Sequence, residues 1–172
     1  MHTFESERLL FRPLAEEDRS MFISLFTDVN IMRYIGDTLD EQTAISTFET
    51  ALKNNLKANQ KYNTWAIIEK INQKSIGIIY LFKRPELHQA GDIEHGLMIE
   101  RASNGKLYPE EACEKLIEYA FSIRHYKRVL AVYKDKNLAT KRILKKLRFS
   151  FDETSFTGNK DEISSYLQNP IN

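Results

Sequence analysis

The chain has 172 residues, 42% of them hydrophobic and 28% charged, with a formal net charge of +1 and one cysteine. These values fit one globular domain with a sizeable core, and they offer no global basic field for nucleic acid, no disulfide framework and no four-cysteine zinc site. No apolar run approaches the roughly 18 residues of a membrane span, and the polar start Met1-His-Thr-Phe-Glu-Ser-Glu-Arg8 is unlike a secretory signal; a cytoplasmic protein without membrane or direct nucleic-acid partners is the expectation.

Arg8 to Pro13 is a short apolar run closed by proline, which predicts a first strand at or near a sheet edge. Ala15 to about Phe26 opens with Glu16, Glu17 and Asp18 and sets Met21, Phe22, Leu25 and Phe26 on one face, the pattern of an amphipathic helix. A connector from Asp28 to Asp37 with a short helical turn follows. Asp40 is placed to cap a second helix with apolar positions Ala44, Ile45, Phe48, Ala51, Leu52 and Leu56, its end weakened by Asn54, Asn55, Asn59 and Gln60.

Thr64 to Glu69, Ser75 to Phe82 and Asp92 to Ile99 are three β-prone runs joined by polar loops such as Asn72 to Lys74, which predicts an antiparallel meander. In the third run Asp92, Glu94, Gly96 and Met98 share one face, and Ile93, His95, Leu97 and Ile99 the other. A polar corner then leads into a helix from Pro109 to about His125, with Glu110 and Glu111 at its positive end and an apolar stripe of Cys113, Leu116, Ile117, Ala120 and Phe121. The start of such a helix, with its unpaired N–H groups, is a seat for phosphate.

Arg128 to Tyr133 reads as a buried strand, parallel to its neighbour because a strand, a helix and a strand imply a right-handed crossover. A turn from Asp135 to Asn137, a short basic helix from Ala139 to about Lys146, and strands at Phe149 to Phe151 and Ile163 to Leu167 complete the chain. The expectation is a single α/β domain over residues 1–172, on a mixed, mostly antiparallel sheet in the order β-α-α-β-β-β-α-β-α-β-β.

Five segments carry a resemblance: Ser6 to Leu14 with Asp18 following, Val29 to Gly36, Ser75 to Ile79, Asn104 to Ala112, and Asn137 to Phe149. In this order and at these gaps they resemble the GCN5-related N-acetyltransferase (GNAT) superfamily over nearly the whole chain. Within it the chain is most similar to the RimJ/RimL-like branch, which includes ribosomal-protein N-terminal alanine acetyltransferases. The resemblance implies helices on both faces of the sheet and acetyl-coenzyme A as donor, held between two splayed strands, with coenzyme A as product. By match to the family motif, Asn104, Gly105, Lys106, Leu107 and Tyr108 would cradle the pyrophosphate, and Leu97, Met98 and Ile99 would pair with the pantetheine arm. Asn137 matches a cofactor-contacting asparagine, and Thr140 a position near the cofactor sulfur. Two residues depart from the family pattern: Leu107 and Arg148 stand where it usually has glycine.

The reaction implied is direct attack of a neutral amine on the thioester. Glu94 is the candidate to take the amine proton, directly or through water, or alternatively to orient the acceptor or simply to be solvated. Thr140 is a candidate to protonate the leaving thiolate, or a helix-start cap. Lys141 and Arg142, in a basic cluster with Lys145, Lys146 and Arg148, either attract the cofactor 3′-phosphate or form a solvated face. Arg33, Tyr34, Asp37 and Trp65 are candidate acceptor contacts, with core packing the other reading of Trp65. His95 is expected to pack and Cys113 to act as a small hydrophobe. His2, His88 and His125 show no metal spacing, so no metal is expected. The function expected is an N-acetyltransferase for a primary amine, a protein N-terminus among the acceptors. A small-molecule amine acetyltransferase or a non-catalytic binding module is the alternative, as a monomer or homodimer.

Overall fold

A computed structural model describes residues 1–57, 62–85, 88–103, 105–152 and 161–170. Its strands are β1 (Phe4–Glu5), β2 (Leu9–Pro13), β3 (Tyr62–Glu69), β4 (Lys74–Phe82), β5 (Asp92–Ile99), β6 (Arg128–Lys134), β7 (Ser150–Asp152) and β8 (Glu162–Gln168). Its helices are α1 (Arg19–Thr27), α2 (Val29–Met32), α3 (Glu41–Asn55), α4 (Tyr108–Ser122) and α5 (Leu138–Lys146). The strands form one sheet in the order β1-β2-β3-β4-β5-β6-β8-β7, antiparallel throughout except for β5 against β6.

The predicted meander and the parallel crossover are therefore present, and the sheet has a helical layer on each face. On one face Met21, Phe22, Leu25 and Phe48 of α1 and α3 pack on Ala66, Ile68, Ile78 and Met98. On the other Ala112, Leu116, Ile117 and Ala120 of α4 pack on Phe11, Ile67, Ile79 and Ile93. The alternation of β5 does this sorting: Met98 enters the first layer, while Ile93, Leu97 and Ile99 join the second. Burying a side chain such as Leu116 contributes about 1.5–3 kcal/mol.

Several local outcomes differ from the sequence pattern. A two-residue strand, β1, covers part of the outer side of β2 and is too short to leave a periodic signal. The short helical turn expected in the connector is present as α2, whose N-cap Asp28 accepts from the N–H of Asn30 and Ile31. Asp40 caps α3 as expected, through the N–H of Thr43 at 2.8 Å. Leu56 lies past the end of α3 and is exposed, and Asn55 anchors that end by exchanging two hydrogen bonds with the Thr64 backbone. Asn59 and Gln60 lie outside the described residues. Buried Asp18 receives Arg12 Nη1 at 2.7 Å, Ser75 Oγ at 2.5 Å and the Ala15 N–H at 2.9 Å, tying β2, β4 and the start of α1 together. Among the described residues no helix is long and apolar enough to cross a membrane.

Candidate active site

Strands β5 and β6 pair over three positions only, Asp92 with Arg128, Ile93 with Val129, and Glu94 with Leu130. Beyond them β6 continues on β8 and β5 on β4, so the two strands part like a fork. Arg128 holds the closed end by gripping both oxygens of Asp92, at 2.8 and 2.6 Å. The opening is a cleft of about 200 Å³, with Glu94, His95, Gly96 and Leu97 on one prong and Ala131, Val132, Tyr133 and Lys134 on the other. Asn137, Thr140, Ile143 and Leu144 close it from α5, and Tyr34 and Ile35 from the segment after α2.

Glu94 stands where the fork opens and is 2% exposed. Its Oε1 accepts from Arg84 Nη2 at 2.8 Å, and its Oε2 faces His88 Nε2 at 3.3 Å. His88 Nδ1 in turn accepts the backbone N–H of Arg84 at 3.1 Å. A neutral ring accepting at Nδ1 carries its proton on Nε2, so His88 donates to Glu94. The carboxylate thus has a charged donor on one oxygen and a neutral donor on the other.

Tyr80 lies across Gly96, its cross-strand partner. A Cβ on Gly96 would come within 2.2 Å of the Tyr80 ring, so only glycine admits the ring there. Burial, and then the neighbouring Glu94 carboxylate, push the Tyr80 hydroxyl up to about 12. It is therefore a proton donor throughout the physiological range.

The opposite face of the cleft holds His95 and Tyr133, both buried, and neither His95 ring nitrogen nor the Tyr133 hydroxyl has a hydrogen-bond partner among the described residues. Burial lowers His95 to about 4, so its ring is neutral and packs near Phe149. Cys113 is buried, and desolvation raises its thiol to about 12. It behaves as a small hydrophobe, not a nucleophile.

The corner between β5 and α4 is pinned by its side chains. Glu69, at the end of β3, accepts from Tyr108 Oη at 2.6 Å, from Lys106 Nζ at 2.9 Å and from Asn72. The Tyr108 hydrogen bond first, and then that of Lys106, hold the Glu69 carboxyl down to about 2. Arg8 donates to the Lys106 carbonyl at 3.0 Å, pairs with Glu111 and stacks 4.7 Å over the Tyr108 ring. With the side chains of Lys106 and Tyr108 turned to Glu69, the N–H groups of residues 105–108 meet no acceptor among the described residues. Gly105 has φ 79°, and Leu107, the N-cap of α4, has φ 61° with an exposed side chain. Asn104 lies outside the described residues.

Of the other residues singled out by the sequence, Asn137 caps α5 by accepting the Thr140 N–H at 3.2 Å, so the cap is asparagine and Thr140 is the capped residue. Lys141 pairs with Asp135 at 3.2 Å and Lys146 with Glu110, which draws the end of α5 to the start of α4. Arg142 and Arg148 are exposed. Leu97 lines the cleft, Ile99 is half-buried on the α4 side, and Met98 is turned into the core under α1 and α3. Tyr34 reaches the cleft, whereas Arg33 and Asp37 are exposed. Trp65 is fully buried between Phe4 and Tyr119 and donates Nε1–H to the His2 carbonyl at 2.9 Å, so it packs the core and does not line a groove. Tyr80, Arg84 and His88 were not among the sequence candidates. Their alignment arises across β4, β5 and the loop between them, and no local spacing announces it.

Residues 8–150 match the acetyltransferase (GNAT) domain family. The chain is 26% identical over 147 residues to an uncharacterized N-acetyltransferase of Bacillus subtilis, YoaA, covering 84% of this chain and 81% of that protein. Among solved structures, an acetyltransferase from Agrobacterium tumefaciens superposes with a TM-score of 0.83 at 18% identity, over 98% of this chain and 95% of that one. Spermidine N-acetyltransferase from Vibrio cholerae, in complex with coenzyme A and spermine, superposes with a TM-score of 0.76 at 16% identity, over 95% of this chain and 97% of that one. With the forked sheet and the family match over most of its length, the chain belongs to the GNAT acetyltransferase family and is an N-acetyltransferase.

Proposed function

We propose that residues 1–172 act as one N-acetyltransferase domain that binds acetyl-coenzyme A in the fork and transfers acetyl to a primary amine, a peptide or protein α-amine foremost. The observation that carries this is the position of Glu94: a buried carboxylate at the point where β5 and β6 part and the cleft opens.

The residues present fit coenzyme A. The N–H groups of residues 105–108 at the positive end of α4 suit a pyrophosphate. The edge of β5 at Leu97 to Ile99 has no strand partner on the β6 side among the described residues and suits the amides of a pantetheine arm. The orphaned Tyr133 hydroxyl and His95 ring have hydrogen bonds to offer inside the cleft. Asn137, Thr140 and the exposed Arg142 are the remaining contacts, with Lys141 available if it leaves Asp135. When bound, the cofactor supplies an activated acetyl thioester.

This chain's residues then serve the amine. Its nitrogen must be neutral to attack, and at pH 7 that costs about 1 kcal/mol for an α-amine near 8 but roughly 4–5 kcal/mol for a lysine-type amine near 10.4. Both Glu94 oxygens already carry a donor, which favours acceptors that surrender a proton easily. Glu94 takes that proton directly or through water, and Tyr34 closes the acceptor side. Thr140, Tyr80 and Tyr133 are among the hydroxyl-bearing residues that line the cleft, and they are the candidates to give a proton to the departing thiolate.

Calorimetric titration with acetyl-coenzyme A, followed by thiol-release assays on N-terminal peptides and small amines, tests the reading. Micromolar binding and turnover of α-amines are expected. Absence of binding at millimolar cofactor would leave only a non-catalytic module.

A further inference from the structure

The sheet face under α1 and α3 carries a second hollow, of about 370 Å³, lined chiefly by Phe22, Phe26, Ala51, Tyr62, Ile78 and Phe82. Its polar lining is three threonines, Asn54 and the hydroxyls of two tyrosines, and neither carboxylate nor cation lines it among the described residues. The hydroxyls of Thr47 and Thr50 donate to the carbonyls of Thr43 and Ser46 within α3, at 2.8 and 2.9 Å. They therefore contribute little free polarity.

The hollow adjoins the cleft, with Tyr80 and Phe82 lining both. Tyr62 stacks on Phe82 with centroids 5.3 Å apart, and Phe82 meets Tyr80 at 5.7 Å. Arg84 lies over the Phe82 ring and pairs with Glu94, so the aromatic row ends at the carboxylate. An amine seated at Glu94 would direct its own substituent along that row.

We propose, resting on the acetyl-transfer reading above, that the acceptor is an α-amine whose side chain is apolar and about the size of a phenyl or leucyl group. An apolar cavity of about 150 Å³ takes up benzene, so the hollow has room for one ring. A polyamine would bring further ammonium groups against a wall in which no carboxylate lies among the described residues, at a desolvation cost. The chemistry is shared by two sources, a free amino-acid derivative and a peptide N-terminus.

The test is a thiol-release assay on phenylalaninamide, leucinamide, glycinamide and spermidine, with peptides beginning in Phe or Gly. Apolar side chains should raise kcat/KM at least about tenfold over glycinamide, the discrimination typical of an apolar pocket, and spermidine should fall below glycinamide. Thr50→Phe, which fills the hollow, should cut the phenylalaninamide to glycinamide ratio at least about fivefold. A native ratio near one, or spermidine as the best acceptor, would overturn the proposal even if the variant does not fold. Phe-peptides outrunning phenylalaninamide would identify the source as a protein terminus, and parity would identify it as a small amine; both support the apolar acceptor. Should nothing turn over, titration of the amides into the coenzyme A-loaded protein still decides. Tighter binding of phenylalaninamide keeps the hollow and sinks the transfer reading, and equal or absent binding sinks both.

Discussion

Leu107 and Arg148 adopt the same left-handed backbone conformation, with φ of 61° and 63°. Leu107 is the N-cap of α4. Arg148 follows the last turn of α5 and closes it in a Schellman pattern, its own N–H reaching the Lys145 carbonyl and that of Phe149 the Leu144 carbonyl. Both are positions where the family pattern has glycine, and the backbone explains why. A side chain there costs roughly 1 kcal/mol of strain. Leu107→Gly and Arg148→Gly should each raise stability by at most about 0.5 kcal/mol after the entropy of the added glycine is subtracted, or by up to about 2 °C in Tm. Because the Leu107 side chain points to solvent, its replacement should alter coenzyme A affinity by less than about threefold. A tenfold gain in calorimetry would mean that the leucine obstructs the loop.

That pair also marks how far the sequence could be read. Periodicity located the major strands and helices, and the crossover rule put β6 parallel to β5, because those features follow from local pattern and chain handedness. The fork could be expected only through resemblance, since where two strands part depends on long-range register. Glu94 was visible as a polar residue on the non-isoleucine face of β5. Its partners Arg84 and His88 were not, because a loop brings them back over the strand. Trp65 shows the converse: an aromatic residue in a β-run is equally suited to a groove or a core, and packing against Phe4 and Tyr119 decided the matter.

The Glu69 network predicts an acid-sensitive corner. Its folded carboxyl is held at about 2, against an ordinary 4.5, chiefly by Tyr108 and Lys106. A depressed carboxyl stabilises the fold fully above the ordinary value, and that stabilisation is lost as pH falls toward the folded value. Glu69→Gln should therefore lower the urea midpoint at pH 7, and the gap from the native chain should narrow between pH 4.5 and pH 3. A gap that stays constant from pH 6 to pH 3 would show that the charge of Glu69 is not what holds the corner.

The Tyr80 and Gly96 contact predicts a specific non-additivity. Gly96→Ala places a methyl against the Tyr80 ring, 2.2 Å from its nearest atom, so ring or strand must move. The expected loss is about 1–3 kcal/mol, the usual range for overpacking. In a Tyr80→Ala background the same substitution should cost well under half as much, giving a coupling of at least about 0.5 kcal/mol in a double-mutant cycle by denaturant unfolding. Equal costs in both backgrounds would place the strain elsewhere, in the β5 backbone itself.

Glu94→Gln separates a proton acceptor from a positioning group. The amide keeps the size of the side chain and one acceptor oxygen for Arg84, but it cannot take a proton from the amine. With Glu94 as the base, kcat at pH 7 should fall about 10²-fold, the low end for general base catalysis. The affinity for coenzyme A should stay within about threefold, because the cradle at residues 105–108 is untouched. The variant would then depend on the fraction of amine already neutral, so its rate should climb with pH toward the amine's own pKa, near 8 for an α-amine, and recover part of the loss by pH 9. If Glu94 only orients the acceptor, the loss should appear mainly in KM, and the native-to-variant ratio should be the same at every pH. The pH dependence of that ratio, not the size of the loss, therefore decides between the two roles.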